Sequence, residues 1–260
     1  MMVVLYLVIL KGMSNMSSYG PLAPVYDKFT SDIHYEDFAD FYEKIFKEKG
    51  KNVRTLLDVG CGTGTLTAMM AQRGYEMVAA DSSSDMLCIA QEKFSELNNI
   101  IPPLFLCQSM TELDLYGTVD ATISCLDAVN YLPPSDLPEF FRLLHLFIEP
   151  GGVFIFDINS PERLRSLDGF TSVDEDENNL CLWRADFSEE EKALYYGMDL
   201  FTRRGRFWQR SCEEHIEYSH EPEELSALLS SSGFAGIEAR TDGPQSELGR
   251  IFIFAENTSH

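Results

Sequence analysis

Apolar positions recur along this chain with two different periods. From about residue 30, "HYEDFADFYEKIF" sets Tyr35, Phe38, Tyr42, Ile45 and Phe46 on one side of a helix. "RTLLDV" then reads as a buried strand, followed by a helix from about Gly64 to Gly74 and by a strand "EMVAAD" that ends on an acid. "SSDMLCIAQEKFSEL" continues as a helix. Beyond it "PLFLCQ", "VDATISC" and "GGVFIFDI" read as short apolar strands, with the helical "SDLPEFFRLLHLFI" before the last of them. Strands alternating with helices predict a parallel sheet covered on both faces.

The pattern changes after Asp157. "NSPERLRSLDGFTSVDEDENN" is polar and charged and reads as a loop or a short helix. "LCLWRADF", "ALYYGMDLFTRRG" and "RFWQRSCEEHIEYSH" then alternate apolar and polar residues, as an antiparallel meander with one wet face does. A helix opens at "EPEELSALL", with Pro222 in its first turn and Gly233 past its end, and strands "FAGIEAR" and "GRIFIFA" follow. The expected architecture is α/β, with an antiparallel β meander inserted after the fifth strand of a mostly parallel sheet.

Composition narrows the partners. A hydrophobic content of 45% suffices for a sizeable core, and a formal charge of -22 repels phosphate backbones and anionic lipid headgroups. No basic patch is evident, so neither nucleic acid nor a membrane surface is expected as a partner. The 6 cysteines form no CxxC pair and mostly sit in apolar runs, which suits a reducing cytosol and a cytoplasmic protein. "MMVVLYLVIL" at residues 1–10 is too short to span a bilayer and has no basic residue before it. It reads as an upstream extension of a chain whose working start is Met13 or Met16, with a signal-like anchor, or an extra strand or helix on the body, as the alternatives.

The candidate chemistry lies in "LLDVGCGTGTL", where three glycines follow a strand at every second position. A dinucleotide fingerprint needs a glycine where Thr65 stands, and a P-loop needs a lysine that this loop lacks. Asp58, two residues before Gly60, would repel a pyrophosphate and suits an ammonium or sulfonium. Asp81, at the end of the second strand, stands where an acid takes ribose hydroxyls. The ligand expected is a nucleoside without phosphate and with positive charge.

These residues resemble the class I S-adenosylmethionine-dependent methyltransferases, from about Tyr19 to the end of the chain. "LLDVGCGTGTLT", "AADSSSDML", "CLDAVNYL" and "EPGGVFIFDIN" look like four of that family's motifs in order. The resemblance implies a Rossmann-like seven-stranded, mostly parallel sheet with helices on both faces, and S-adenosyl-L-methionine as cofactor. It implies that Gly60, Cys61 and Gly62 lie along the methionine part, with Asp58 near its amino group. Asp81 would hold the ribose diol, with Ser82 beside it, and Met86 would pack on the adenine. Relatives often carry an Asp-Met pair after the third strand; here "CQSM" places Ser109 in the acid's slot, with Gln108 and Met110 as neighbouring contacts. Leu126 and Asp127 would face the sulfonium. "YGPLAPVYDKF" resembles the cofactor-covering stretch of small-molecule members, giving Tyr19 and Tyr26 as lids. The implied organisation is an extension over 1–18, a cofactor-binding unit with a lid helix over 19–160, a substrate-covering meander over 161–219, and completion of the sheet over 220–260.

Methyl transfer is an in-line displacement, so the protein aligns donor and acceptor and excludes water. An amine or hydroxyl acceptor must also lose a proton, which calls for a base. His215, in "SCEEHIEYSH", is the leading histidine, with Asp127 and Tyr131 as further catalytic candidates and Asn130, Trp183 and Tyr196 as pocket residues. His145 reads as packing, and His34 and His220 as caps or solvated. No metal site is expected, and the oligomeric state is monomer or homodimer. The reading is a methyltransferase acting on nitrogen or oxygen of a small-molecule acceptor; a cofactor-binding sensor without turnover is the alternative, and a nicotinamide oxidoreductase is disfavoured by Thr65.

Overall fold

The computed structural model describes residues 32–258 together with Ala23, Tyr26, Asp27 and Thr30. Tyr19 and the 1–18 extension lie outside the described residues. Among the described residues the elements run from α1 (Tyr35–Glu48) through β1 (Thr55–Val59), α2 (Thr65–Gln72), β2 (Glu76–Asp81), α3 (Ser84–Ser95), β3 (Leu104–Cys107) and β4 (Val119–Ser124). Next come α4 (Leu137–Phe147), β5 (Ile148–Asn159) and α5 (Pro161–Ser166). Strands β6 (Thr171–Glu175), β7 (Asn179–Ser188), β8 (Ala193–Arg204) and β9 (Phe207–Tyr218) precede α6 (Pro222–Ser231), β10 (Phe234–Arg240) and β11 (Arg250–Asn257).

The main sheet has 7 strands in the order β10-β11-β5-β4-β1-β2-β3. Strands β1 to β5 pair in parallel, and β11 runs antiparallel to both β5 and β10. Strand alternation sorts the core into two layers. Leu56, Ile123, Val153 and Ile155 pack under α1 and α2, with Phe38, Tyr42 and Met70. Leu57, Val59, Phe154 and Phe156 pack under α4 and α6, with Phe140, Phe141, Leu225 and Leu229. Strand order reverses between β1 and β4, so a crevice opens at their carboxyl ends.

A second sheet of 4 antiparallel strands, β6-β7-β8-β9, follows β5. Two expectations need correction here. The polar stretch read as a loop or short helix holds both helix α5 and strand β6, so the meander has four strands where the alternation suggested three. Strand β6 is an edge, largely exposed, and shows little of the apolar alternation that marks a half-buried strand. The β8–β9 hairpin also exposes Arg203, Arg204, Arg206 and Arg210 beside Phe207 and Trp208, a local basic patch that the net charge conceals. No described helix is long and apolar enough to cross a membrane.

Candidate active site

At the end of β1 the chain turns through Gly60, Gly62 and Gly64, all at positive φ (75°, 54° and 71°), before α2 begins. A side chain at Gly60 would put its Cβ 2.8 Å from that of Ala128, so bare backbone is required where this turn meets the one after β4. The Gly60 and Cys61 N–H groups donate to Ala80 O at 2.8 and 3.1 Å, which ties the loop to β2. Gly62 N–H donates to one Asp81 carboxylate oxygen and Ser83 N–H to the other, each at 2.8 Å. Asp81 is thereby fixed in orientation with a lone pair of each oxygen still available. Burial raises its pKa while the two N–H groups pull it down.

Asp58 is 2% exposed and accepts the Thr67 hydroxyl at 2.5 Å. Burial pushes its carboxyl up to about 7, and the neighbouring Asp81 charge adds to the shift. On the far side of β2, Ser83 caps α3 through the Met86 N–H and the Met86 side chain is buried. The Gln108 amide is occupied by the backbone of Asp114, at 3.3 and 3.1 Å, so it does not replace the missing acid through its side chain. Ser109 Oγ lies 3.1 Å from the Glu112 carboxylate, which accepts its proton.

After β4 the chain makes another tight turn, with Leu126 and Asp127 both in the left-handed region at φ 58° and 54°. Non-glycine residues held there carry strain of about 1–3 kcal/mol each and persist only where surroundings over-determine them. Here buried Asp157 accepts both their N–H groups, at 3.0 and 2.8 Å, and Arg250 bridges Asp157 to the Asp127 carboxylate, 2.9 Å from the latter. Asp127 is therefore a carboxylate held in an ion pair with Arg250.

The meander roofs this site, because one face of its alternation points back over the crevice. Register places Ala185, Tyr196 and His215 in one row and Phe187, Leu194 and Glu217 in the next. Trp183 and Tyr196 stack at 5.2 Å and 24°, and Tyr131 meets His215 edge-on at 5.9 Å. His215 Nε2 lies 3.2 Å from the Glu213 carboxylate. Glu217 is 7% exposed and takes a 3.1 Å hydrogen bond from Asn159 Nδ2. Burial, then the Asp127 charge, pushes its carboxyl up to about 8. From the amino end, Tyr26 faces the same space, and Asp27 hooks onto Thr63 at 2.5 Å and Lys93 at 2.9 Å. Burial raises the Tyr26 hydroxyl above its ordinary value.

One cavity of about 820 Å³ lies between these elements, and every described site residue expected from sequence except Asn130, Tyr26 through His215, borders it. Asn130 does not: it is fully buried, donating to Tyr218 O at 2.9 Å and accepting the Asn159 N–H at 2.9 Å, so it clamps the meander to the main sheet. His220 is likewise buried against Leu132 O at 3.0 Å, neither a cap nor solvated. His145 packs edge-on against Phe234, as expected. Sequence reasoning noted Glu217 only as part of the "EEHIEY" run around His215, with no role of its own, and passed over Arg250. Alternation two residues beyond His215 could have signalled Glu217; nothing local marks Arg250, whose partners come from β5 and the β4 turn.

The lining fits a phosphate-free cationic nucleoside. Its floor offers acceptors, Asp58 and Asp81, whose pKa values are raised by burial, and the arginine among the described lining residues, Arg250, is already shared by two carboxylates.

A family model described as a methyltransferase domain matches residues 56–152. The "Putative methyltransferase YqeM" of Bacillus subtilis (strain 168) is 30% identical over 247 residues, covering 92% of this chain and 97% of its own. A ubiquinone biosynthesis O-methyltransferase of Pseudomonas paraeruginosa is 31% identical over 107 residues, 41% of this chain and 45% of its own. The crystal structure of an S-adenosylmethionine-dependent methyltransferase from Clostridium acetobutylicum ATCC 824 superposes with a TM-score of 0.80 at 27% identity, over 93% of this chain and 99% of that one.

Proposed function

This chain belongs to the class I S-adenosylmethionine-dependent methyltransferases, and from that premise we propose that it methylates a small-molecule acceptor held between the main sheet and the meander. The observation that carries the reading is the shared cavity: cofactor-side carboxylates on its floor and an aromatic and carboxylate roof enclose one volume. An acceptor space set in a concave crevice between two sheets favours a small molecule over a polymer. The partial relative named for ubiquinone biosynthesis is in keeping with that.

Asp81 would hold the ribose, Asp58 the ammonium, and Met86, Ser109 and Met110 the adenine side, with Gly60, Cys61 and Gly62 along the chain between. S-adenosylmethionine, when bound, supplies a methyl carbon activated by positive sulfur. What the protein adds is alignment and dryness. The Asp157–Arg250 brace sets the turn carrying Leu126 and Asp127, and Tyr131, Trp183 and Tyr196 keep water from the acceptor. We read residues 161–219 as the acceptor-covering unit, and the enzyme as a cytoplasmic monomer or homodimer, in keeping with 6 cysteines that are all free.

Calorimetry with S-adenosylmethionine and its demethylated product tests the cofactor assignment. Micromolar-range binding, about 8 kcal/mol, is expected, and Asp81→Ala should weaken it at least about tenfold. Unchanged affinity in that variant would remove the ribose role.

A further inference from the structure

Resting on the methyltransferase reading above, we propose that the acceptor is an amine that arrives as an ammonium ion and that Glu217 takes its proton. The placement of this carboxylate is built from several elements. Glu217 lies on β9 and borders the cavity, and Asn159 at the end of β5 holds one of its oxygens at 3.1 Å. Asn159 is held in turn by Asn130, so the main sheet positions the group as firmly as the meander does. Gln108, Asn130 and Asp127 are each committed to protein partners; among the described residues Asn159 is the hydrogen-bond partner of Glu217.

The charges around Glu217 favour a cation. Asp127 faces it from the turn after β4, Arg250 from β11 and Arg163 from α5, with the Tyr196 hydroxyl on β8 and His215 on the same face of β9. Arg250 already serves Asp127 and Asp157, so its charge, which with that of Arg163 pulls the Glu217 pKa down, is shared with two other carboxylates. A carboxylate buried in such surroundings holds its proton unusually firmly, as burial and the Asp127 charge dictate. Once it has ionised, an ammonium ion entering beside it both offsets the buried charge and offers a proton that the carboxylate binds firmly. His215, by contrast, directs Nε2 at Glu213.

The step balances as follows. An N–H proton of the ammonium passes to the Glu217 carboxylate and leaves a neutral amine with a lone pair. That pair forms the N–C bond to the methyl carbon while the S–C bond breaks, its electrons staying on sulfur. The positive charge moves from sulfur to the methylated nitrogen, and the proton leaves Glu217 for solvent.

The test uses the full chain with methyl-labelled S-adenosylmethionine and a panel of amines (polyamines, amino sugars, amino acids and arylalkylamines), each matched to the alcohol of the same skeleton. Label should enter at least one amine and not its alcohol. At saturating amine, kcat should rise with pH through one proton loss. Glu217→Gln keeps the size and the Asn159 hydrogen bond; it should lower kcat by at least about a hundredfold and abolish that inflection, with cofactor binding within about threefold of the wild type. His215→Gln should retain the inflection. Label in alcohols only, label in no amine while the cofactor still binds, or a Glu217→Gln enzyme with an unchanged pH profile would each overturn the proposal. Failure of the cofactor to bind at all would instead overturn the broader reading.

Discussion

Asp58 illustrates how burial can hold a single residue in a costly state. It is buried, its hydrogen-bond partner among the described residues is the Thr67 hydroxyl, and its pKa stands at about 7. Below the ordinary carboxylate range the native and unfolded chains both carry this proton. Between that range and about 7 the native protein keeps a proton that the unfolded chain has released, so stability falls as pH rises across the window and remains low above it. Asp58→Asn should therefore raise stability at pH ~8 by on the order of 2–4 kcal/mol, read by chemical denaturation, while weakening S-adenosylmethionine binding. If Asp58 ionises to meet the ammonium, cofactor binding near pH 6–7 should release a proton, and the calorimetric enthalpy should scale with the ionisation heat of the buffer. No buffer dependence would detach Asp58 from the cofactor.

At the scale of elements, the decisive feature is how the meander is fastened to the main sheet. Asn130, in the 3₁₀ turn Ala128–Tyr131, links the end of β5 to the end of β9 through Asn159 and Tyr218. Removing its amide leaves a buried N–H and a buried carbonyl unpaired, at about 1–3 kcal/mol each. Asn130→Ala is thus expected to cost about 2–4 kcal/mol in urea unfolding; a loss below about 1 kcal/mol would show that the clamp carries little of the energy. The same clamp sets the height of Glu217 over the crevice, because Asn159 holds both groups.

For the molecule as a whole, charge is uneven in a way that bears on the acceptor. A chain with net charge -22 nevertheless gathers Arg203, Arg204 and Arg206 at one hairpin tip, and none of the three borders the cavity. With a small acceptor, replacing all three by Glu should leave turnover within about twofold at physiological ionic strength, since exposed charges beyond a Debye length of about 8 Å are largely screened. A collapse of turnover that deepens at low salt, where repulsion between the new glutamates and an anion is least screened, would point to a polyanionic acceptor gripped by the tip.

The order of helices and strands, the glycine turn and the carboxylates at the ends of β1 and β2 were all legible in the sequence. Each rests on periodicity or on short spacing within a single element, which local chain chemistry determines. The resemblance to known motifs likewise pointed to the cofactor, and all the described residues it singled out border one cavity. What tertiary structure alone decided are the relations between distant segments. Strand β6 exists because β7 pairs with it, despite a polar sequence. Asp127 is tied up because Arg250 reaches it from β11, and Asn130 is a clamp because β9 brings Tyr218 within reach. The Glu217 carboxyl is pushed up because burial and the Asp127 charge act on it together, and neither is a property of "EEHIEY" read by itself.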